Sequence, residues 1–271
     1  RFSSMVLKSD IIFSDNNEID FYNFQVEGPL IQILGDFNFK NNRLLNLNLE
    51  KFKFYSSIDN ISNNLQIKYT NNFSSSLELS ILGDVISIGR DGFSNLLNNM
   101  GPSNNYENII INVFFDELNS KSNITYKNIE FSYDKKLNKL KELSFSALLN
   151  SEPIIYGETS EHNNTKKIEL FAVNFESLID VLGLNINLKG GPIKYSALIE
   201  NIEGIETFSG NLNIDEFSIL KLPIFAKLLN ISIPNLTLDA DSGIEFKKAS
   251  AEIKINSKGI FINDGVIKAK G

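Results

Sequence analysis

Apolar and polar residues alternate with a period of two along most of this chain. Leu45, Leu47 and Leu49 fall on one face of an extended run, Leu65, Ile67 and Tyr69 on one face of a second, and Leu77, Leu79 and Ile81 on one face of a third. The pattern recurs at Ile109, Ile111 and Val113, at Ile129, Phe131 and Tyr133, and at Leu143, Phe145, Ala147 and Leu149. Toward the C-terminus it returns at Ile193, Tyr195, Ala197 and Ile199, at Leu212 and Ile214, and at Ala249, Ala251, Ile253 and Ile255. The last of these runs faces Ile260 and Ile262 across a turn at Asn256-Ser257-Lys258-Gly259. Asn, Ser, Glu and Lys occupy most of the intervening positions, so each strand has one dry side and one wet side, as in antiparallel sheets.

The alternation slips between Leu49 and Phe52, between Ile214 and Phe217, and between Phe246 and Ala249. Each slip is either a bulge, which bends the strand and strengthens its twist, or a strand end followed by a short loop. Three stretches change period instead. Phe93, Leu96, Leu97 and Met100 stand at helical spacing before Gly101-Pro102. Phe175, Leu178, Ile179 and Leu182 repeat that spacing, with Asn174 as cap and Gly183 as terminator. Pro223 opens a third stretch whose stripe is Ile224, Phe225, Leu228 and Leu229. Apolar stripes of this kind pack on a sheet. The fold expected is therefore mainly β: a long, curved, mostly antiparallel sheet, open as a groove or half-barrel, with about three short helices packed on it.

Composition agrees with a folded chain: 42% of the 271 residues are apolar, 22% are charged, and Phe occurs 21 times. With no cysteine, neither disulfides nor thiolate metal sites contribute. A net charge of −7 without a long basic run argues against nucleic acid as a partner. Asn occurs 37 times, which reads as the base composition of an AT-rich genome, and the Asn-x-Ser/Thr sequons at Asn60, Asn72, Asn123, Asn163, Asn230 and Asn235 follow from that abundance. The chain starts at Arg1 and its alternation runs to the end, which reads as a piece of a longer protein.

Reactive constellations are sparse. The one histidine, His162, stands in the polar segment Glu158–Thr165 and reads as a loop residue. Asp239-Ala-Asp241-Ser-Gly243 opens like a calcium loop but lacks its later ligands. Asp215, Glu216, Glu245 and Glu252 lie in or near strands, where two carboxylates could converge for glycosidase chemistry, yet alternation sends Glu252 and Lys254 to solvent. The residues identify no catalytic, cofactor-binding or metal-binding set, and the chain is read as a non-enzyme.

A family resemblance rests on the order of motifs over Phe175–Gly271. Phe175-Glu-Ser-Leu-Ile-Asp-Val-Leu-Gly183 is followed by Gly190-Gly191-Pro-Ile, then by Phe208-Ser-Gly210-Asn-Leu-Asn-Ile-Asp-Glu-Phe217. Leu222-Pro223-Ile-Phe-Ala-Lys-Leu-Leu229, Gly243-Ile-Glu-Phe246, Ala249–Ile255 and Gly259-Ile-Phe-Ile-Asn-Asp264 complete it. In that order the stretch resembles the C-terminal region of AsmA-like bacterial envelope proteins, of the YhdP and TamB class. Asp91–Gly101 looks like a further copy of the helix motif without the Gly-Gly that follows. The chain thus divides into residues 1–173, a β-rich part with weak resemblance, and 174–271, the AsmA-like region.

The resemblance implies a parent protein anchored in the inner membrane of a Gram-negative cell and exposed to the periplasm. It implies a β-groove of the bridge-like lipid-transfer class that carries phospholipid in support of outer-membrane biogenesis. It brings no catalytic residues and no cofactor. The partners implied are phospholipid or another acyl lipid, and a membrane reached through a segment outside this chain. On this reading the lipid-contacting candidates are Phe145, Tyr195, Ile199, Leu212, Ile214, Phe246, Ile253, Ile255, Ile260 and Ile262. The same residues could instead form a closed core between two sheets or under the helices. The competing functions are a non-catalytic structural or adhesive β protein of the cell envelope and, third, an enzyme on a β scaffold.

Overall fold

The structure is a computed structural model, and it describes residues 4–14, 16–55, 62–72, 75–87, 106–120, 124–162, 165–182, 188–202, 205–219, 244–256 and 258–269. The chain forms two compact units, Arg1–Glu152 and Pro153–Gly271. Both are mainly β, as the alternation requires, and in both the sheet is open and mostly antiparallel.

The first unit contains β1 (Val6–Ser14), β2 (Glu18–Glu27), β3 (Ile31–Lys40), β4 (Arg43–Tyr55), β5 (Ser62–Asn72), β6 (Ser76–Ser87), β7 (Asn108–Asn119), β8 (Thr125–Lys136) and β9 (Lys139–Leu149), paired in that order. All these pairs are antiparallel except β6 with β7, which run parallel with Leu77 opposite Ile109 and Ile81 opposite Val113. The register gathers the apolar residues on one side. Phe21 lies opposite Phe37, Phe37 opposite Leu47, Leu47 opposite Tyr69 and Tyr69 opposite Leu79. Their alternating neighbours Asp20, Asn38, Asn46 and Thr70 form a matching polar row.

The second unit contains β10 (Glu152–His162), whose first residue closes the first unit, then β11 (Thr165–Ala172), α1 (Phe175–Leu182), β12 (Leu188–Gly190), β13 (Ile193–Ile202), β14 (Ile205–Ile219), β15 (Ile244–Asn256) and β16 (Gly259–Ala269). Its pairing order is β10, β11, β13, β14, β15, β16, with β12 laid on the end of β14.

Among the described residues there is one short helix, where about three were expected. The stretches from Phe93 to Met100 and from Pro223 to Leu229 lie outside the described residues. Asn174 caps α1 as its sequence predicts, its Oδ1 accepting from the Ser177 N–H at 2.7 Å.

The phase slips are bulges, not strand ends. Leu49 and Phe52 both lie inside β4, where the register to β5 shifts between them. Ile214 and Phe217 are both buried inside β14, because Glu216 between them takes φ 45° and turns the alternation over. Phe246 and Ala249 lie inside β15, where the pairing to β16 shifts after Phe246.

Among the described residues such left-handed positions take up seven of the chain's 37 asparagines. Of the non-Gly residues with positive φ, Asn17, Asn23, Asn41, Asn42, Asn128, Asn138 and Asn150 outnumber Leu137, Ser151, Glu216 and Asp264. Asn tolerates this region because its short amide bonds locally. Asn41-Asn42 and Leu137-Asn138, with φ of 49° and 60° and of 50° and 60°, make two-residue hairpin turns after β3 and β8.

Gly190 and Gly191 lock the second unit together. Their φ values are 84° and 54°, and a Cβ on Gly191 would stand 1.7 Å from the Asp215 carbonyl oxygen. The pair therefore lets the backbone pass directly over the Asp215-Glu216 bulge. The Asp215 N–H donates to the Pro192 carbonyl at 3.1 Å, and the Phe175 N–H to the Gly191 carbonyl at 2.9 Å. Gly191→Ala is expected to destabilise the chain by about 3 kcal/mol or more, from strain plus overlap. Gly265→Ala, whose Cβ would meet its nearest neighbours at 3.9 Å, should be close to neutral. Denaturant unfolding of the two variants against the parent checks the contrast.

Candidate functional site

The candidate site is the apolar side of the second unit's sheet, built by cross-strand rows. Ala172, Ile193, Ile214 and Ala249 form one row, and Leu170, Tyr195, Leu212 and Ala251 the next. Ile168, Ala197, Gly210, Ile253 and Ile262 follow, then Ile199, Phe208, Ile255 and Ile260. Directly opposed residues share a side, so the register carries this assignment. Beyond the bulge the ring of Phe217 stacks on Phe246 at 5.1 Å.

The sheet brings together nine of the candidate lipid-contacting residues: Tyr195, Ile199, Leu212, Ile214, Phe246, Ile253, Ile255, Ile260 and Ile262. Phe145 belongs to the other unit, on the apolar side of β9 opposite Phe131. The reverse side of the second unit carries Lys194, Ser196 and Glu200 on β13, Asn211 and Asn213 on β14, and Ser250, Glu252 and Lys254 on β15. Glu252 and Lys254 lie on this polar side as alternation predicts, 3.7 Å apart as an ion pair.

Coverage is graded across the rows. Ile155, Ala172, Ile193 and Ala197 near β10–β13 are buried. Tyr195, Ile199, Leu212 and Ile255 are half-buried, and on β16 Ile260 and Ile262 are 68% and 67% exposed. The apolar side is thus a closed interior at one margin and bare at the other.

Sequence reasoning missed the aromatic part of the first unit. Phe37 stacks on Phe21 at 4.4 Å and meets Phe24 and Phe39 edge-on at 4.8 and 5.7 Å, while Phe52 lies 5.3 Å from Phe54. The bulge at Asn23 conceals this cluster in the sequence, because Phe21 and Phe24 stand three apart. Asp36 accepts from the Asn23 N–H at 2.8 Å and Asp10 from its amide at 2.9 Å, so the bulge's polar groups are satisfied.

Polar chemistry lies on the other side. A depression of about 590 Å³ over β2–β5 is lined mainly by polar-side residues, among them Asp20, Tyr22, Asp36, Asn48 and Lys68. In its lining the Glu18 carboxyl is held below its usual pKa by the Asn38 amide and the Lys40 ammonium. Among the described residues no three His, Cys, Asp or Glu side chains converge to hold a metal ion. Asp215 pairs with Lys248 at 3.9 Å. His162 ends β10 opposite Thr165, in a strand where a loop was expected, and Asp239 and Asp241 lie outside the described residues.

Comparison with protein-family models, with curated proteins and with solved structures found no match.

Tyr195 is the phenol within these rows. Its hydroxyl is buried without a hydrogen-bond partner among the described residues, and burial raises its pKa above the usual tyrosine value. Removing an unpaired hydroxyl removes a desolvation cost, so Tyr195→Phe should stabilise the chain by about 1 kcal/mol. The fold favours the neutral phenol. The stability linked to keeping it protonated is full below the ordinary tyrosine pKa of about 10 and is lost as pH rises beyond it. Unfolding free energies measured from pH 8 to 11 should show that decline in the parent and a shallower one in Tyr195→Phe.

Proposed function

We propose that the chain is a segment of an AsmA-like, inner-membrane-anchored periplasmic protein that shelters lipid acyl chains along an apolar β-surface. Its role on this reading is phospholipid transport to, or homeostasis of, the outer membrane. The observation that carries the proposal is the concentration of apolar residues on one side of β11 and β13–β15, kept in register across the bulge in β14. An acyl chain needs no specific pocket, because each buried methylene contributes about 0.8 kcal/mol wherever it lies. Rows of Ile, Leu, Phe and Ala provide contacts that change little from one strand to the next, which suits movement along the surface. The exposed end of the rows, at β16, supplies the accessible area, and the polar reverse side keeps the sheet in water.

Mass spectrometry of the purified chain tests this directly. Co-purified phospholipid is expected in the parent protein. Leu212→Lys and Ile255→Lys, on half-buried apolar-side positions, should reduce it at least about tenfold, the equivalent of two lost methylene contacts. Asn211→Lys, on the opposite side of β14, should leave it unchanged. Absence of lipid from the parent, with a folded circular dichroism spectrum, would overturn the proposal and favour a structural β protein of the envelope.

A further inference from the structure

The polar side of β2–β5 in the first unit is not flat. Its depression of about 590 Å³ falls within the range of about 300–1,000 Å³ usual for small-ligand sites. Register shifts border it at Phe21/Phe24, Asn38/Phe39 and Leu49/Phe52, and bulges of this kind bend the strands that carry them. Two cross-strand rows make its floor. Asp20, Asn38, Asn46 and Thr70 form one, and Asp36, Asn48 and Lys68 the other. Opposed groups in such rows stand about 5 Å apart, so several can reach one small molecule at once.

Charge decides the class of ligand. Asn38, 9% exposed, donates through Nδ2 to Glu18 Oε1 at 2.9 Å and to Asp20 Oδ1, and Lys40 pairs with Glu18 at 3.4 Å. Donors therefore already fill the space between these carboxylates, where a cation would have to sit. The carboxylates of Glu18, Asp20 and Asp36 in one lining repel an anion. Lys40 and Lys68 offset two of the three, which leaves the depression close to neutral. The unused groups are polar and uncharged. The side chains of Asn46, Asn48 and Thr70 make no hydrogen bond among the described residues, and Asn38 Oδ1 is buried there without a partner. Tyr22, 44% exposed, adds an aromatic ring to the same lining.

We infer that this depression is a binding site for a short neutral oligosaccharide. Side-chain amides both donate and accept, which matches hydroxyls that do the same. A sugar ring is polar at its rim and apolar across its C–H face, so that face can rest on Tyr22 while the rim bonds to Asn46, Asn48 and Asp20. A hydroxyl donor entering over Asn38 supplies the partner that its Oδ1 lacks, and a buried acceptor without one is a cost. From β2 to β5 the floor spans about 14 Å across the strands, room for more than one ring. The site lies in the first unit and does not depend on whether lipid lies on the apolar side of the second.

Isothermal titration calorimetry of the full chain with maltotriose, cellotriose, mannotriose and triacetylchitotriose tests the assignment. At least one should bind with a dissociation constant of about 1 mM or tighter. Tyr22→Ala and Asn48→Ala, at exposed positions and so expected to keep the circular dichroism spectrum, should each weaken it at least about tenfold. Tyr22→Phe keeps the ring and should retain most of the affinity, and Asn211→Ala in the second unit should retain all of it. Failure of all four trisaccharides to bind, unchanged affinity in the two alanine variants, or binding of calcium chloride or sodium sulfate in their place would each overturn the assignment.

Discussion

Everything in this chain depends on keeping apolar side chains on one side of a twisting sheet while strands are added next to one another. A one-residue slip sends a whole strand's apolar set to the other side. Every bulge is such a slip unless something restores the phase. Left-handed residues do that here: Asn23 in β2, Asn128 in β8, Glu216 in β14 and Asp264 in β16 each have positive φ within a strand. At Glu216 the result is that Ile214 and Phe217 are both buried, although they stand three apart. Asn-rich composition is therefore partly a structural requirement of a sheet with many bulges and tight turns.

The second unit shows how such a correction is anchored. The bulge at Asp215-Glu216 leaves backbone groups that must be bonded. Pro192 takes the Asp215 N–H, and the two glycines preceding it allow the approach. The same glycines place the Gly191 carbonyl where the first amide of α1 can donate to it. Helix, Gly-Gly turn and bulged strand form one junction, which gives a physical reason for their order in the sequence.

Much of this fold was legible beforehand. Strands with a clean period of two, such as β7 and β13, follow from side-chain alternation alone, and the N-terminal cap of α1 follows from Asn174. Other features were not. A phase slip in sequence looks the same whether the strand bends or ends, and only pairing on both sides of Leu49–Phe52 decides it. The parallel contact of β6 with β7 leaves no trace in alternation, because parallel and antiparallel neighbours with one wet side share that pattern. The Phe21–Phe24–Phe37 cluster escaped notice because its bulge breaks the period. Alternation also does not report what lies over an apolar side, so the gradient from buried Ile193 to exposed Ile262 is a property of the folded chain that the pattern does not carry.

That gradient sets what the apolar side can do. Where Ile155, Ala172 and Ile193 are already buried, the hydrophobic gain belongs to the fold and a ligand can add little. Toward β16 the same residue types remain wet, and covering one isoleucine fully is worth about 1.5–3 kcal/mol. Ile260, Ile262 and Ile267 together therefore hold several kcal/mol that a ligand or partner could recover. An acyl chain lying over them would recover the part on the apolar side only, leaving Phe261 and Val266 on the reverse side in water.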